Sequence, residues 1–276
     1  MRNIFIVAAK EYRDGWRNRW VLAITGIFAF FAFVIAYFGA AASGQVGFTS
    51  LATTIVSLAS LAVFLVPLIA LLLGYDTIVG EDTQGTLLLL LSYPLSRWQL
   101  LTGKLCGQGA ILASATLIGF GVAGVVITIF AGQDDFADVW QAFAIFVLSA
   151  VLLGWAFLAM AYLISVVASD KGRAAGVALI VWFFFVLIFD LGMLGILVLT
   201  SGQDGGDMLA YLLLLNPTDI FRLINLASFE STQNYAGILV VAEDLLLSPG
   251  LLLLALGAWV IAPFAAATWL FRQRCS

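Results

Sequence analysis

The chain has no histidine, two cysteines, five prolines and few charges: Lys, Arg, Asp and Glu make up 10% of its 276 residues. Without histidine the commonest transition-metal ligand and the usual general base are both missing. No Ser/His/Asp or Cys/His nucleophilic constellation can therefore be assembled, and tight copper or zinc binding is not expected. Cys106 and Cys275 lie in unrelated contexts with no metal-ligand spacing, and nothing pairs them as a disulfide. The scarcity of charge excludes more. With 63% hydrophobic residues and a mean hydropathy of +1.10, too little polar surface exists to coat a water-soluble globule of this size.

What the chain has instead is long apolar runs. A helix needs about 20 apolar residues to cross a hydrocarbon core roughly 30 Å thick. Six runs meet that length: Trp20–Ala42, Leu51–Gly74, Leu105–Ala131, Trp140–Ala168, Ala174–Thr200 and Leu251–Phe271. A seventh through Met208–Leu215 is rejected, since it is cut short by Asn216-Pro217 and would move Arg272 and Arg274 to the other side. Ala40-Ala41-Ala42 resembles a signal-cleavage site, but the apolar stretch before it is about 23 residues against a usual 7–15. The first span is therefore read as retained, and the fold class as an all-α integral membrane domain.

Charge placement orients it. Arg2, Lys10, Arg13, Arg17, Arg19, Arg97, Lys104, Lys171, Arg173, Arg272 and Arg274 fall on one side of the six spans, and Arg222 alone on the other. Basic residues mark the cytoplasmic side, so both termini are expected there. Nine of the sixteen acids fall outside, Asp134, Asp135, Asp138, Asp204, Asp207 and Asp219 among them. They read as a solvated outer face, or alternatively as a vestibule attracting cations.

The chain divides into an interfacial helix over residues 1–19 and a six-span domain over 20–276. Phe5, Ala9, Tyr12, Trp16 and Trp20 recur at helical spacing on one face, while Lys10, Glu11, Asp14 and Arg17 point away. Such a helix lies in the headgroup layer; the alternative is a plain tail. The outer segment 201–248 holds two apolar runs, Met208–Leu215 and Ile220–Phe229, broken by Asn216-Pro217-Thr218-Asp219. It is expected to form short helices on the outer membrane surface, with Thr218 or Asp219 as cap.

Two glycine motifs mislead. Gly80 to Thr86 has P-loop glycine spacing without the lysine, so it holds no nucleotide. Gly119-Phe-Gly121-Val-Ala-Gly124 spells a dinucleotide fingerprint inside a span, where it reads as close helix packing. Gly172–Gly176 and Gly192–Gly195 read the same way. Any energy for pumping must then come from another chain. Asp190 stands deep in the fifth span, where an ionised carboxylate costs a few kcal/mol. It either lines a translocation path or makes a structural hydrogen bond to a neighbouring helix.

The cytoplasmic loop 75–103 is the richest segment. Glu81-Asp82-Thr83-Gln84-Gly85-Thr86-Leu87 leads through leucines to Ser92-Tyr93-Pro94-Leu95-Ser96-Arg97 and then Gly103-Lys104-Leu105. Acids at a helix start suit its dipole, Pro94 ends the helix, and Ser96 caps the next. The product is a short amphipathic helix presenting acids and hydroxyls to a partner.

This pattern resembles the permease subunits of ABC-2 type transporters, over the whole chain. A closer likeness, carried by chain length, Glu81–Arg97 and Asn216-Pro217-Thr218-Asp219-Ile220-Phe221-Arg222, is to permeases that serve maturation of nitrous oxide reductase. The resemblance implies a homodimeric exporter permease in a bacterial inner membrane, on a cytoplasmic ATPase dimer that holds ATP and Mg; this chain itself holds no cofactor and binds no nucleic acid. Glu81, Asp82, Gly85, Thr86, Pro94, Ser96 and Arg97 would form the coupling element. Asp190 would line the path, and Asn216, Pro217, Asp219, Phe221 and Arg222 would dock an outer accessory protein. The implied cargo is a sulfur species for a copper–sulfur centre. The alternative is a subunit that transmits force to an outer partner and moves nothing. An ion-coupled transporter fits worse, because Asp190 is nearly alone and no repeat relates the halves.

Overall fold

The computed structural model describes residues 2–17, 19–38, 51–93, 95–130, 136–199, 211–227 and 248–274. Every element among them is helical. In chain order these are α1 (Arg2–Arg17), α2 (Trp20–Phe38), α3 (Leu51–Gly74), two short helices α4 (Val79–Thr83) and α5 (Thr86–Leu91), α6 (Arg97–Phe130) and α7 (Phe136–Val167). Then come α8 (Lys171–Leu199), α9 (Pro217–Ala227) and α10 (Pro249–Arg274). Among the described residues, five helical stretches are long and apolar enough to cross a membrane, one running from α3 on through α4 (Thr54–Thr83) and the others within α6, α7, α8 and α10; α1 and α2, bent by 65° at their junction, make six when counted as one span.

The core is built around α7. Phe146, Ala150, Leu153, Phe157, Leu158, Ala161 and Tyr162 on it are fully buried, and it packs on α3, α6, α9 and α10. In α8 and α10 only 17% and 22% of the apolar window is buried, against 67% in α7. Their outer faces are therefore left for lipid or another chain. A run of aromatic rings crosses the bundle. Phe28 of α2 stacks on Phe120 of α6 at 5.0 Å, Phe120 meets Phe146 of α7 edge-on at 5.0 Å, and Phe146 meets Phe221 of α9 at 6.2 Å. Indole N–H groups join helices directly: Trp155 donates to the Gly109 carbonyl, Trp182 to that of Phe64 and Trp259 to that of Leu214.

Small residues on α6 let other helices approach. Gly103 and Gly107, one turn apart, lie under α1: a Cβ on Gly107 would stand 2.7 Å from the Ala8 carbonyl oxygen, and one on Gly103 would stand 2.6 Å from the Val7 Cβ. Tyr12 completes the seam, its hydroxyl 3.0 Å from that of Ser114, while Phe5, Ile6 and Trp16 stay exposed on the far side. So α1 is strapped along the start of α6. Gly119 packs likewise against Phe28, and Gly124 against Phe143. The expectation of close packing fails at Gly121, Gly176, Gly192 and Gly195, where an added Cβ would meet nothing within 4 Å. At the turn between α7 and α8, the Asp170 carboxylate accepts from the Arg173 backbone N–H and caps α8. That hydrogen bond holds its carboxyl below the usual range.

Gly107→Ala should therefore push α1 off α6 and cost about 1–3 kcal/mol, read as a lowered Tm in detergent. Gly121→Ala, with open space at the Cβ, should leave Tm unchanged or slightly raised.

Candidate functional site

The loop between α3 and α6 is two short helices rather than the one expected, and glycine is the reason. Gly85 sits at φ +71° between α4 and α5, in the left-handed region that other residues adopt at a cost. Around it the chain ties itself down. The Gly85 N–H donates to the Asp82 carbonyl, the Thr83 hydroxyl to that of Gly80, and the Thr86 hydroxyl to that of Glu81 at 3.2 Å. Leu87 is buried at 6% exposure while Leu88 and Leu89 stand outside at 77% and 66%. The Glu-x-x-x-Gly-Thr-Leu pattern thus has a mechanical meaning: glycine turns the chain, threonine closes the turn, and the first leucine anchors it. Ser96 sits at the head of α6, its backbone N–H donating to Gln99 Oε1 at 3.2 Å, which is one half of a capping box. Pro94 lies outside the described residues.

Side chains of the bundle hold this loop from several directions. Ser165 of α7 accepts the N–H groups of Ile78 and Val79 at 2.9 and 3.2 Å. Thr77 and Gln108 are hydrogen-bonded to each other, and Tyr162 donates to Gln108 Oε1 at 3.0 Å. Lys171 of α8 lies 4.0 Å from Asp76. Arg97 donates to the Arg272 carbonyl at 2.6 Å, closing the start of α6 on the end of α10.

The centre of the site is Lys104. Its side chain is 5% exposed, and its ammonium lies 2.6 Å from Glu81 Oε1 and 3.1 Å from Glu11 Oε1. One cation thereby joins α1, α4 and α6. Lys10 adds a second cation, 3.3 Å from both Glu11 and Asp14. Burial works against the charged Lys10, but those two carboxylates outweigh it and its pKa rises. Two readings of the sequence change here. Glu81 does not face a partner, because its carboxylate turns inward and its Oε2 is buried without a hydrogen-bond partner. Glu11 does not point into solvent. The outward surface is Asp82, Thr83, Gln84 and Gly85, all exposed. Sequence reading missed Lys104 as a hub. The signal was a lysine inside an apolar run flanked by Gly103 and Gly107, since a charge placed there requires a partner.

A second polar cluster lies within α8. Residues Phe184–Ile188 form a π turn, in which the Phe189 N–H bonds the Phe184 carbonyl and bypasses Phe185. Asn216 donates to that bypassed Phe185 carbonyl at 3.0 Å. Its own Oδ1 accepts the Thr218 N–H at 3.0 Å, so Asn216, not Thr218 or Asp219, caps α9, and Pro217 takes the first helical position. Phe185 is about 21 Å along a helix about 43 Å long. Helix α9 is thus driven into the bundle, and the expectation of a surface helix is corrected: Asn216, Thr218, Ile220 and Phe221 are at 0% exposure and Asp219 at 5%. Side chains buried to this degree offer no docking surface in this conformation. Arg222 reaches Asp190 Oδ2 at 2.6 Å and Asp219 Oδ1 at 3.1 Å. Neither Asp190 nor Arg222 is isolated, and each supplies what the other needs at that depth.

Replacing Lys104 by Met should leave two carboxylates facing each other in a nearly dry site, at a cost of about 3–5 kcal/mol. The triple variant with Glu11→Gln and Glu81→Gln as well should recover most of that loss. Thermal unfolding of the purified chain in detergent reads both.

The family model for ABC-2 family transporter protein matches residues 5–274. A protein of Stutzerimonas stutzeri named "Probable ABC transporter permease protein NosY" is 53% identical over 274 residues, covering 99% of each chain. A protein of the same name from Pseudomonas aeruginosa is 55% identical over 271 residues, covering 98% of each. With a loop strapped to the bundle at one end, spans that match throughout and no nucleotide motif of its own, this chain belongs to the ABC-2 family of transporter permeases.

Proposed function

We propose that this permease couples ATP hydrolysis on a separate ABC ATPase dimer, which carries the ATP and Mg, to export of a small sulfur-containing species. That species would serve the copper–sulfur centre of nitrous oxide reductase. The observation that carries the coupling half is the loop 75–103. Its outward face is Asp82 to Gly85, and its inward face is pinned to α6, α7 and α8 through Lys104, Ser165 and Lys171. A push on such a loop moves helix ends rather than a slack tether. Lys, Arg and their partners gather at this same end, so we assign it, with both termini, to the cytoplasm. Two copies would pair to enclose the path, using faces left open on the periphery.

The cargo assignment rests on the likeness to the two relatives named NosY and on nothing in the bundle. A second reading has its own support. Helix α9 is locked to the π turn of α8 by Asn216, so motion of that span carries α9 with it toward an outer accessory protein of the NosD kind. Force alone would then cross the membrane. Cargo accumulating in inverted vesicles with ATP excludes this second reading.

Asp82→Lys with Gln84→Lys alters the outward face and leaves Lys104 and its partners intact. The pair should reduce co-purification with the neighbouring ATPase at least tenfold, while the chain still inserts and runs as a single species on size exclusion. Undiminished co-purification would remove the loop from the ATPase contact.

A further inference from the structure

Helix α1 turns one side to α6 and leaves the other uncovered. On the packed side Val7 meets Gly103 and Gly15 meets Ile111, beside the stretch where α6 passes Lys104 and enters its apolar run. On the open side Arg2, Phe5, Ala9, Arg13 and Trp16 are all exposed. They follow one another at steps of three or four residues, so they form one continuous stripe along the helix. Phe5 on it is 72% exposed, and Ile6 next to it 61%. Trp16 is set rigidly, edge-on to the Tyr12 ring at 6.3 Å, and Tyr12 is in turn tied to Ser114 of α6.

The four cations of α1 are not equivalent. Lys10 is paired with Glu11 and Asp14, and Arg17 with Asp14. Arg2 and Arg13 have no carboxylate partner among the described residues. The two acids of α1 lie off the stripe: Glu11 is turned to Lys104, and Asp14 lies between Lys10 and Arg17. The open face therefore combines bare apolar side chains with uncompensated positive charge. An acidic protein surface would answer the charge but not Phe5 and Ile6. Hydrocarbon would answer Phe5 and Ile6 but strand the arginines. A bilayer of anionic phospholipid offers phosphates and acyl chains a few ångströms apart, which is the order this face requires.

We propose that the exposed face of α1 binds the anionic surface of the lipid bilayer, with Phe5 and Trp16 entering the acyl boundary and Arg2 and Arg13 meeting headgroup phosphates. The contact is independent of what the protein transports. It would hold α1, and through Tyr12 and Glu11 the start of α6, against the membrane at the end of the bundle that carries the loop 75–103.

A nitroxide at Ala9, in the middle of this face, tests the contact. The full chain carries Ala9→Cys with Cys106→Ser and Cys275→Ser, and sits without ATPase in nanodiscs of phosphatidylcholine alone or of phosphatidylcholine with phosphatidylglycerol. Collisions of the label with a neutral, water-soluble nickel chelate should be about fivefold rarer in the discs containing phosphatidylglycerol. Adding Arg2→Gln and Arg13→Gln, both at exposed side chains away from the α6 seam, should remove that difference. The comparison of the two lipids stands on its own should the arginine variant fail to fold. Equal collision rates in both lipids with the two arginines present would overturn the proposal. A label open to the chelate in both lipids and shielded only when the ATPase is added would also overturn it, making this face a protein contact.

Discussion

A lysine ammonium nearly removed from water cannot stand alone. Lys104, 5% exposed, is stable only because Glu81 and Glu11 come to it from two other elements. Much of the architecture at the basic end follows from that demand. Helix α1 must lie along α6 so that Glu11 arrives, which requires Gly103 and Gly107 beneath it. Helix α4 must fold back toward α6 so that Glu81 arrives, which is served by the reversal at Gly85 and by Ser165 capping the N–H groups of Ile78 and Val79. The carboxylate that would look most like a docking group in the sequence is spent on holding the loop. The loop's outward surface is the exposed stretch after it, Asp82 to Gly85.

The same logic operates at mid-depth. A π turn leaves one carbonyl without its usual helical donor, and a side-chain amide from α9 supplies the missing hydrogen bond. In hydrocarbon such a gap costs several kcal/mol if left open, so the turn and the inserted helix require each other. Arg222 then neutralises Asp190 and contacts Asp219. The arrangement leaves one net negative charge among three formal charges if both carboxyls are ionised. It ties α8, at and just beyond its π turn, to α9, as Lys104 ties the loop to α6. One polar cluster sits at the end of the bundle and the other midway along it, and the core helix, α7, touches both regions through Tyr162 and Phe146.

The all-helical membrane class, with five or six spans, and the family were legible because they rest on composition and on motifs a few residues long. Leu87 to Leu91 reads as a helix from propensity, and does form one. What sequence could not reveal was pairing over distance. Glu11 and Lys104 are 93 residues apart, and a helical wheel places Glu11 on a polar face without saying what covers it. Asn216-Pro217-Thr218-Asp219 announces a capped helix start equally well on a surface or inside a bundle. The burial of Phe221 against Phe146 decides between them, and that contact is tertiary. The glycine spacings were equally ambiguous: Gly119 packs on a neighbour and Gly121, two residues on, packs on nothing.

The most direct measurement is a pair of cryo-EM structures of this chain with its ATPase, one nucleotide-free and one with ATP bound. If the loop drives the bundle, Glu81, Lys104 and Glu11 should stay within ion-pair distance in both, and α4, α1 and the first turns of α6 should move as one body. A structure in which ATP closes the ATPases while Glu81 parts from Lys104 and α6 stays in place would contradict it, since the push would then end in the loop.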